Sequence, residues 1–570
     1  MAIVLGISAY YHDSAAALVI DGNIIAAISQ ERISRIKNDS TIPIEAAKSV
    51  LSFARIKPED VDLVVFYENP FNKLERVLVN LLRTFPRSYR QFPRAISSQI
   101  GSKIWVKDTL SERLKIKREK VSFTTHHKSH AASAFFCSPF RESAVLVVDG
   151  VGEEDTTSIW YGNGQNLKFI QSIPFPHSIG LLYAGLTAYL GFEVNNGEYK
   201  VMGLSAYGSA KYLDEFSKII NIENDESFTL NLKYFSYFTD TETGFGPALE
   251  KLLGPKRNKN KPWNLNSEED KRYADIAATL QQVTEDILKR LANRALKITG
   301  SENLCMAGGV ALNVVANGKI AMQIGKNHLF IQPAAGDAGG ALGSAIIGSI
   351  ELGDKRPTPL KNCALGLPIE TDKVKKMATD LGLSTKLLSD PAQTISEKIE
   401  ANEIVCFLHG RFEWGPRSLG QRSILANPKL EETKDELNLN IKKRENFRPF
   451  APVILGDHMD KHFEGQPDLM TPFMSTVHHV KKNKVEQLKA VTHIDRTSRV
   501  QSVDENNSKL LNNILHCVNK KTGLPIVLNT SLNGPNEPIV ASAQDALLFF
   551  MRHPVETMIV EDQMISKKGL

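Results

Sequence analysis

Nothing in this chain reaches the roughly 20 consecutive apolar residues that a membrane-spanning helix needs. The apolar opening MAIVLGI carries no basic leader and is too short for a signal peptide. These absences predict a cytoplasmic protein, neither anchored nor exported. Cysteine is scarce as well: Cys137, Cys305, Cys363, Cys406 and Cys517 are odd in number, far apart and outside any CxxC spacing. Such a set excludes a disulfide framework and reads as reduced thiols. A strong charge of one sign is also missing, since the net charge is +5 over 570 residues. That argues against a nucleic-acid partner but leaves local Lys and Arg to meet a polyanion such as ATP. With 42% apolar and 23% charged residues, the chain can bury more than one core, so two or more domains are expected.

What is present is a layout used twice. Residues 3–28, IVLGISAYYHDSAAALVIDGNIIAAI, read as strand, polar turn, strand, Asp-Gly turn, strand. From Ser143, SAVLVVDGVGEEDTTSIWYGNGQNLKFIQSI reads the same way. Internal duplication on this scale marks architecture. The pattern resembles the actin-like superfamily, in which two such halves face each other across a cleft. The resemblance implies a phosphate- or nucleotide-binding cleft with the polar turns pointing into it.

Ile276, Leu280, Val283, Ile287 and Leu291 recur at helical spacing. ENLCMAGGVALNVVANGKI (302–320) then runs strand, Gly308-Gly309, helix, an order that puts backbone N–H groups where a nucleotide could rest. Tight packing would also account for the glycines. HLFIQPAAGDAGGALGSAIIGSI (328–350) is again strand, Gly-rich loop, helix. Residues 351–366, with two prolines and mixed charge, read as a linker between a first domain of 1–350 and a second α/β domain of 367–570. The basic, aromatic stretch 85–120 reads as a helical insertion with a solvated face.

His126 and His130 are four apart in VSFTTHHKSHAASAFF (121–136), so both imidazoles leave the same helix face and His127 does not. Asp149 ends a strand and Asp337 precedes a helix, positions from which both could converge on the histidines. Two His and two Asp without thiolate favour iron(II), manganese or zinc over a closed structural zinc site. The ordinary alternatives are helix surface, an Asp-Gly turn and a helix cap. His12, in the first hairpin turn, suits a base that deprotonates a hydroxyl, or is simply solvated. In the second domain Arg411, Arg417, Arg422, Lys442, Lys443, Arg444, Arg448 and Arg499 crowd glycine, proline and strand ends. Several forks together neutralise a triphosphate plus a second anion, with part of the set as spectators.

YYHDSAA, HHKSHAASA, VVDGVGEE, EYKVMGLSAYG, MAGGVALN, PAAGDAGGALG, GRFEWGPRSLGQRSIL, KKRENFRPFAP and LNTSLNGPNEPIV follow one another along the chain. In that order they resemble the O-carbamoyltransferases of the NodU/CmcH family over essentially the whole length. The resemblance implies a duplicated actin-like (ASKHA, ribonuclease H-like) α/β domain, like that of the tRNA threonylcarbamoyl transferases, followed by a YrdC-like α/β domain. It implies that the second domain makes carbamoyl adenylate from carbamoyl phosphate and ATP with Mg(II). Arg417, Lys442, Arg448 and Arg499 would hold anions and Asn529 would lie in a polar loop, with the register of Lys442 against Lys443 open.

The first domain would transfer the carbamoyl group to a hydroxyl of a small molecule such as an antibiotic, sugar or toxin-like alkaloid. There His126, His130, Asp149 and Asp337 match metal ligands for iron(II) or another divalent transition metal. Gly308, Gly309 and Asn313 would hold the nucleotide, His12 would be the base, and Lys200 would contact adenylate phosphate. The stretches 85–120 and 224–270 would line the acceptor pocket. The alternatives are an actin-like small-molecule kinase and a non-catalytic nucleotide- or tRNA-binding module. No nucleic acid or membrane partner is expected, and the oligomeric state is left open, a homodimer being one option.

Overall fold

The structure is a computed structural model that describes residues 2–86, 88, 92–238, 244–445 and 447–567. Residues 87 and 89–91 of the stretch 85–120, and 239–243 of 224–270, lie outside the described residues. The chain folds as two compact units, Met1–Ile25 with Ser40–Pro359, and Ala26–Asp39 with Leu360–Leu570.

In the first unit β1 (Ile3–Ser8), β2 (Ala15–Ile20) and β3 (Asn23–Ser29) form the opening hairpins. β1 is buried throughout, as an uninterrupted apolar run at a sheet centre should be. It pairs antiparallel with β2, Ile3 opposite Ile20, and parallel with β4 (Leu63–Phe66). Asp21 and Gly22 both have positive φ, 53° and 75°, which turns β2 tightly into β3. α1 (Pro70–Arg83) follows β4 with Asn69 as its N-cap. After β5 (Val121–Phe123) comes α2 (His126–Phe135). The sheet order is β3-β2-β1-β4-β5.

The second half repeats this plan. β6 (Glu142–Val148), β7 (Asp155–Asn163) and β8 (Asn166–Pro174) are antiparallel neighbours. α3 (Glu268–Thr299) is the long amphipathic helix, started by Ser267 and stopped by Gly300 at φ 69°. β9 (Leu304–Ala307) joins β6 in parallel, α4 (Val314–Ile324) follows, and β10 (Leu329–Ile331) joins β9 in parallel before α5 (Asp337–Glu351). The order is β10-β9-β6-β7-β8. Each half is thus a three-stranded antiparallel run extended by two parallel strands, the duplicated actin-like fold. α2 and α5, which each follow the fifth strand of their half, pack on one another. They meet so closely that a Cβ on Gly343 would stand 1.8 Å from the Ser129 carbonyl oxygen.

The second unit is built on one mixed sheet. Its strands are β11 (Ser384–Leu387), β12 (Val405–Leu408), β13 (Arg422–Ala426), β14 (Ala451–Leu455), β15 (Gln501–Val503), β16 (Ile526–Ser531), β17 (Thr557–Val560) and β18 (Gln563–Ser566). Their order is β11-β18-β17-β12-β13-β16-β14-β15. Leu408, Ile424, Ile454, Leu528, Met558 and Phe550 form part of its core. Ala26–Asp39 is tied into this unit: Ala27 N–H donates to the Leu365 carbonyl at 3.0 Å, and Arg35 donates to the Pro538 and Ile539 carbonyls at 2.8 Å each. Among the described residues no helix is long and apolar enough to cross a membrane, and the five cysteines form no disulfide.

Candidate active site

Asp149 directly follows β6, where Val147-Val148 gives way to Asp-Gly. His126 and His130 lie one turn apart on α2, and Asp337 opens α5. All four side chains are buried, and one ligand atom from each lies within 4.8 Å of the others. His126 Nε2 is 2.8 Å from Asp149 Oδ2 and 3.1 Å from His130 Nε2. His130 Nε2 is 3.5 Å from both Asp149 Oδ2 and Asp337 Oδ1.

The outer carboxylate oxygens are tied back. Gly309 N–H donates to Asp149 Oδ1 at 2.9 Å, and the Tyr67 hydroxyl donates to Asp337 Oδ2 at 3.4 Å. The inner oxygens are thereby aimed at the imidazoles. Behind His126, Glu68 Oε2 stands 3.9 Å from Nδ1, and Glu153 accepts from the His126 backbone N–H at 3.0 Å.

Two imidazole nitrogens facing each other across 3.1 Å need a proton or a cation between them, because two lone pairs repel. Burial lowers the His130 imidazole, but Asp149 and Asp337 raise it to about 9. Burial raises the Asp149 carboxyl, but hydrogen bonds from His126 and His130 hold it well below the usual carboxylate range. A divalent cation answers the same demand, and the N₂O₂ set without thiolate fits iron(II), manganese or zinc. His127 turns away to Ser158 Oγ at 2.7 Å, and burial pushes its imidazole well below the ordinary range.

His12 sits in the β1–β2 turn, its Nδ1 2.9 Å from Asp13 Oδ2. Burial lowers its pKa, but Asp13, Asp337 and Asp149 raise it to about 10. An Nδ1 anchored on a carboxylate leaves Nε2 as the working atom, the dyad arrangement of a general base. Tyr10 and Asp13 on either side have φ of 75° and 59°, left-handed backbone that costs roughly 1 kcal/mol or more per residue. Tyr11 packs its ring 4.5 Å from His12 and donates to Asn195 Oδ1 at 3.5 Å.

Gly308, at φ 91°, brings its backbone so near β6 that a Cβ would lie 2.2 Å from the Val148 carbonyl oxygen. Asn313 is committed locally: its Oδ1 caps α4 through Ala316 N–H at 3.1 Å, and its amide pairs twice with Gln281 at 3.0 Å. Lys200 lies on the helix Glu198–Leu204 with its ammonium 5.8 Å from the Phe192 ring centroid.

In the second unit the Lys442 ammonium is buried and held by the Ser531 carbonyl, the Asn533 carbonyl at 3.0 Å and Asn533 Oδ1 at 2.8 Å, while Lys443 is exposed. Burial, then Arg444 and Arg448, lower Lys442 well below its ordinary value. Burial likewise lowers Arg499, and Arg417, Arg444 and Arg448 lower it further. Four guanidinium groups therefore bear on one place, where an anion would relieve their mutual repulsion. Asn529 lies within strand β16 rather than in a polar loop, paired with Leu425 and Ala451, and its Nδ2 donates to the Ser418 carbonyl and to Gln501 Oε1, both at 3.0 Å. Arg411 and Arg422 instead prop up backbone: Arg411 donates to the Gly366 and Leu365 carbonyls at 2.6 Å, Arg422 to those of His409 at 3.0 Å and Gly410 at 3.1 Å.

Tyr67, Glu68 and Glu153 surround the four-residue cluster, and sequence spacing does not single them out. No spacing rule points at Tyr67 or Glu68, which reach the ligands from the end of β4 through tertiary packing alone.

A family model described as the carbamoyltransferase N-terminus matches residues 3–346, and one described as the carbamoyltransferase C-terminus matches 396–567. An uncharacterized protein of Synechocystis sp. is 38% identical, the alignment covering 100% of this chain and 97% of that protein. Nodulation protein NolNO of Sinorhizobium fredii is 34% identical over 98% of this chain and 79% of its own length. Nodulation protein U of Rhizobium tropici is 28% identical over 92% of this chain and 89% of its own.

Proposed function

The chain belongs to the carbamoyltransferase family and is a carbamoyltransferase, and from that premise we propose an ATP-dependent O-carbamoyltransferase acting on a small-molecule hydroxyl in two steps, one per unit. In the second unit carbamoyl phosphate and ATP, with Mg(II), give carbamoyl adenylate, phosphate and pyrophosphate, an exchange whose atoms balance with one water. Arg417, Arg448 and Arg499 hold the anionic groups, Lys442 fixes the end of β16 at Ser531 and the following Asn533, and Asn529 within β16 holds the Ser418 carbonyl. The work is electrostatic: the cations are already assembled at folding cost before charge moves among phosphate oxygens.

The carbamoyl group then passes to the acceptor in the first unit. A divalent metal, iron(II) or a similar ion, held by His126, His130, Asp149 and Asp337 would supply charge stabilisation for the departing phosphate. The chain's own residues do the rest. The Gly308-Gly309 turn does not offer its N–H groups to a nucleotide as the sequence suggests, because Gly308 donates to the Ala335 carbonyl at 2.8 Å and Gly309 to Asp149 Oδ1 at 2.9 Å; its glycines give the nucleotide a side-chain-free surface instead, with Lys200 a lesser candidate for its phosphate. Asn313 serves that turn by capping α4. His12 Nε2 takes the acceptor proton as its oxygen attacks the carbamoyl carbon and AMP leaves, while Asp13 steadies the imidazolium that forms. The adenylate, a mixed anhydride, is kept from bulk water, and the whole process is read as cytoplasmic biosynthesis of a modified natural product.

The observation behind this reading is the buried convergence of two imidazoles and two carboxylates whose outer oxygens are tied back. The test is mass spectrometry of hydroxyl acceptors incubated with ATP, carbamoyl phosphate and iron(II), seeking the carbamoyl mass gain. Pyrophosphate release only when carbamoyl phosphate is present supports the reading. ADP formation without it would instead identify a kinase, and tRNA binding at physiological salt without turnover a binding module.

A further inference from the structure

Beside the ligand cluster lies a group of cations that neither step uses. Lys73 and Arg76 are three apart on α1 and so share a face. Lys73 is satisfied by both Glu68 carboxylate oxygens, at 2.9 and 2.6 Å. Arg76 is not. Its Nε is sealed from solvent without a hydrogen-bond partner, and among the described residues no ion pair engages its guanidinium, whose Cζ lies 5.2 Å from the Phe175 ring centroid. Lys103, in the turn Lys103–Trp105 packed against α1, likewise has no ion pair among the described residues. Burial and then Lys73 lower its ammonium to about 8.

The nearby carboxylates Glu68, Glu153 and Glu154 act on Arg76 through their charge alone and bond elsewhere or face solvent. Glu68 is taken by Lys73, Glu153 accepts the backbone N–H groups of Asn69 at 2.7 Å and His126 at 3.0 Å, and Glu154 is exposed. Two contacts fix the place. Tyr10, in the hairpin turn that carries His12, donates its hydroxyl to the carbonyl of Ser102, next to Lys103, at 3.4 Å. Glu153 joins the start of α1 to the start of α2, the helix of His126 and His130. The turn of Lys103 therefore adjoins the turn of His12, the start of α1 adjoins the start of α2, and Arg76 is near enough to Lys103 for the two charges to act on one another.

We propose that Arg76 and Lys103 form an anion-binding subsite for the acceptor, which therefore carries a carboxylate, phosphate or sulfate besides the hydroxyl to be carbamoylated. An arginine fork backed by an aromatic ring is fixed in plane and suits two oxygens of such a group, and a ligand oxygen would also end the isolation of Nε. The nucleotide phosphate is the other source of negative charge, but the proposed metal cluster already provides for it. The inference deepens the proposed function and rests on it.

The test is calorimetric titration of inorganic sulfate into the metal-loaded full chain saturated with AMP and pyrophosphate, which fill the nucleotide and polyphosphate sites. One sulfate site is expected to remain, weakened at least about tenfold in Arg76→Gln and in Lys103→Gln and less in Arg76→Lys. Absence of the site, or an affinity in both Gln variants equal to that of the unaltered chain, would overturn the proposal; so would a sulfate site seen without AMP and lost in the AMP-saturated chain, which would give the cations to the nucleotide. The parent reading is checked separately by carbamoyl phosphate-dependent pyrophosphate release in the unaltered enzyme. Its absence sinks that reading whatever sulfate does.

Discussion

The backbone N–H of Gly309 donates to Oδ1 of Asp149 at 2.9 Å, which makes the glycine turn after β9 and the carboxylate after β6 a single device. A Cβ at residue 309 would lie 3.0 Å from that same oxygen, so the carboxylate would have to turn. Gly309→Ala should lower metal affinity about 10- to 100-fold with the fold intact. Chelator competition measures this, and an unchanged affinity would detach the turn from ligand orientation.

His126 supplies a donor to the four-residue cluster in the first unit, whereas adenylate formation is assigned to the cations of the second. His126→Ala should therefore lose bound metal and acceptor carbamoylation while carbamoyl phosphate-dependent pyrophosphate release continues. Metal content at the level of the unaltered enzyme would refute the ligand assignment.

For His12 the sign of the pH effect follows from its neighbours. Its folded pKa of about 10 exceeds the ordinary 6.5, so the His12–Asp13 pair stabilises the fold fully below 6.5 and less as pH rises through about 10. As a base, however, His12 must be neutral. Asp13→Asn removes the nearest raising charge and should move the acid limb of the transfer rate to lower pH. His12→Asn should slow transfer roughly 10²-fold or more. An acid limb that stays in place in Asp13→Asn would count against His12 as the titrating group.

Arg417→Ala should abolish carbamoyl-dependent pyrophosphate release. Arg499→Met should do the same while raising stability by about 1 kcal/mol, because it removes one of four crowded cations from a buried place. Thermal melts beside pyrophosphate assays separate the two effects. A melting point lowered by Arg499→Met would show that its packing outweighs the repulsion.

The hairpin strands of the first unit and the helix of His126 and His130 were legible because each follows a local rule, whereas the short strands β4, β11 and β15 carry no such mark. Asp21-Gly22 marks a hairpin, His126 and His130 are one turn apart, and each Gly-rich loop stands between a strand and a helix. The halves of the first unit were legible for the same reason, as one pattern written twice. What stayed hidden depends on contacts distant in sequence. Tyr67 reaches Asp337 across 270 residues, and no periodicity announces a phenol at the end of a strand. Asn313 could be placed after the glycine turn, but its pairing with Gln281 on α3 could not. Lys442 and Lys443 are indistinguishable by type. The left-handed backbone of Lys443, at φ 43°, ends the helical turn and leaves Lys442 inside.

The stretch Ala26–Asp39 leaves the first hairpin and is counted with the second unit, so the polypeptide crosses between units three times. A gene cut at the region around residue 360 would not yield two autonomous proteins. The downstream fragment would lack the arginine that holds the Pro538 and Ile539 carbonyls. The upstream fragment would carry a stray arm that has lost its seat.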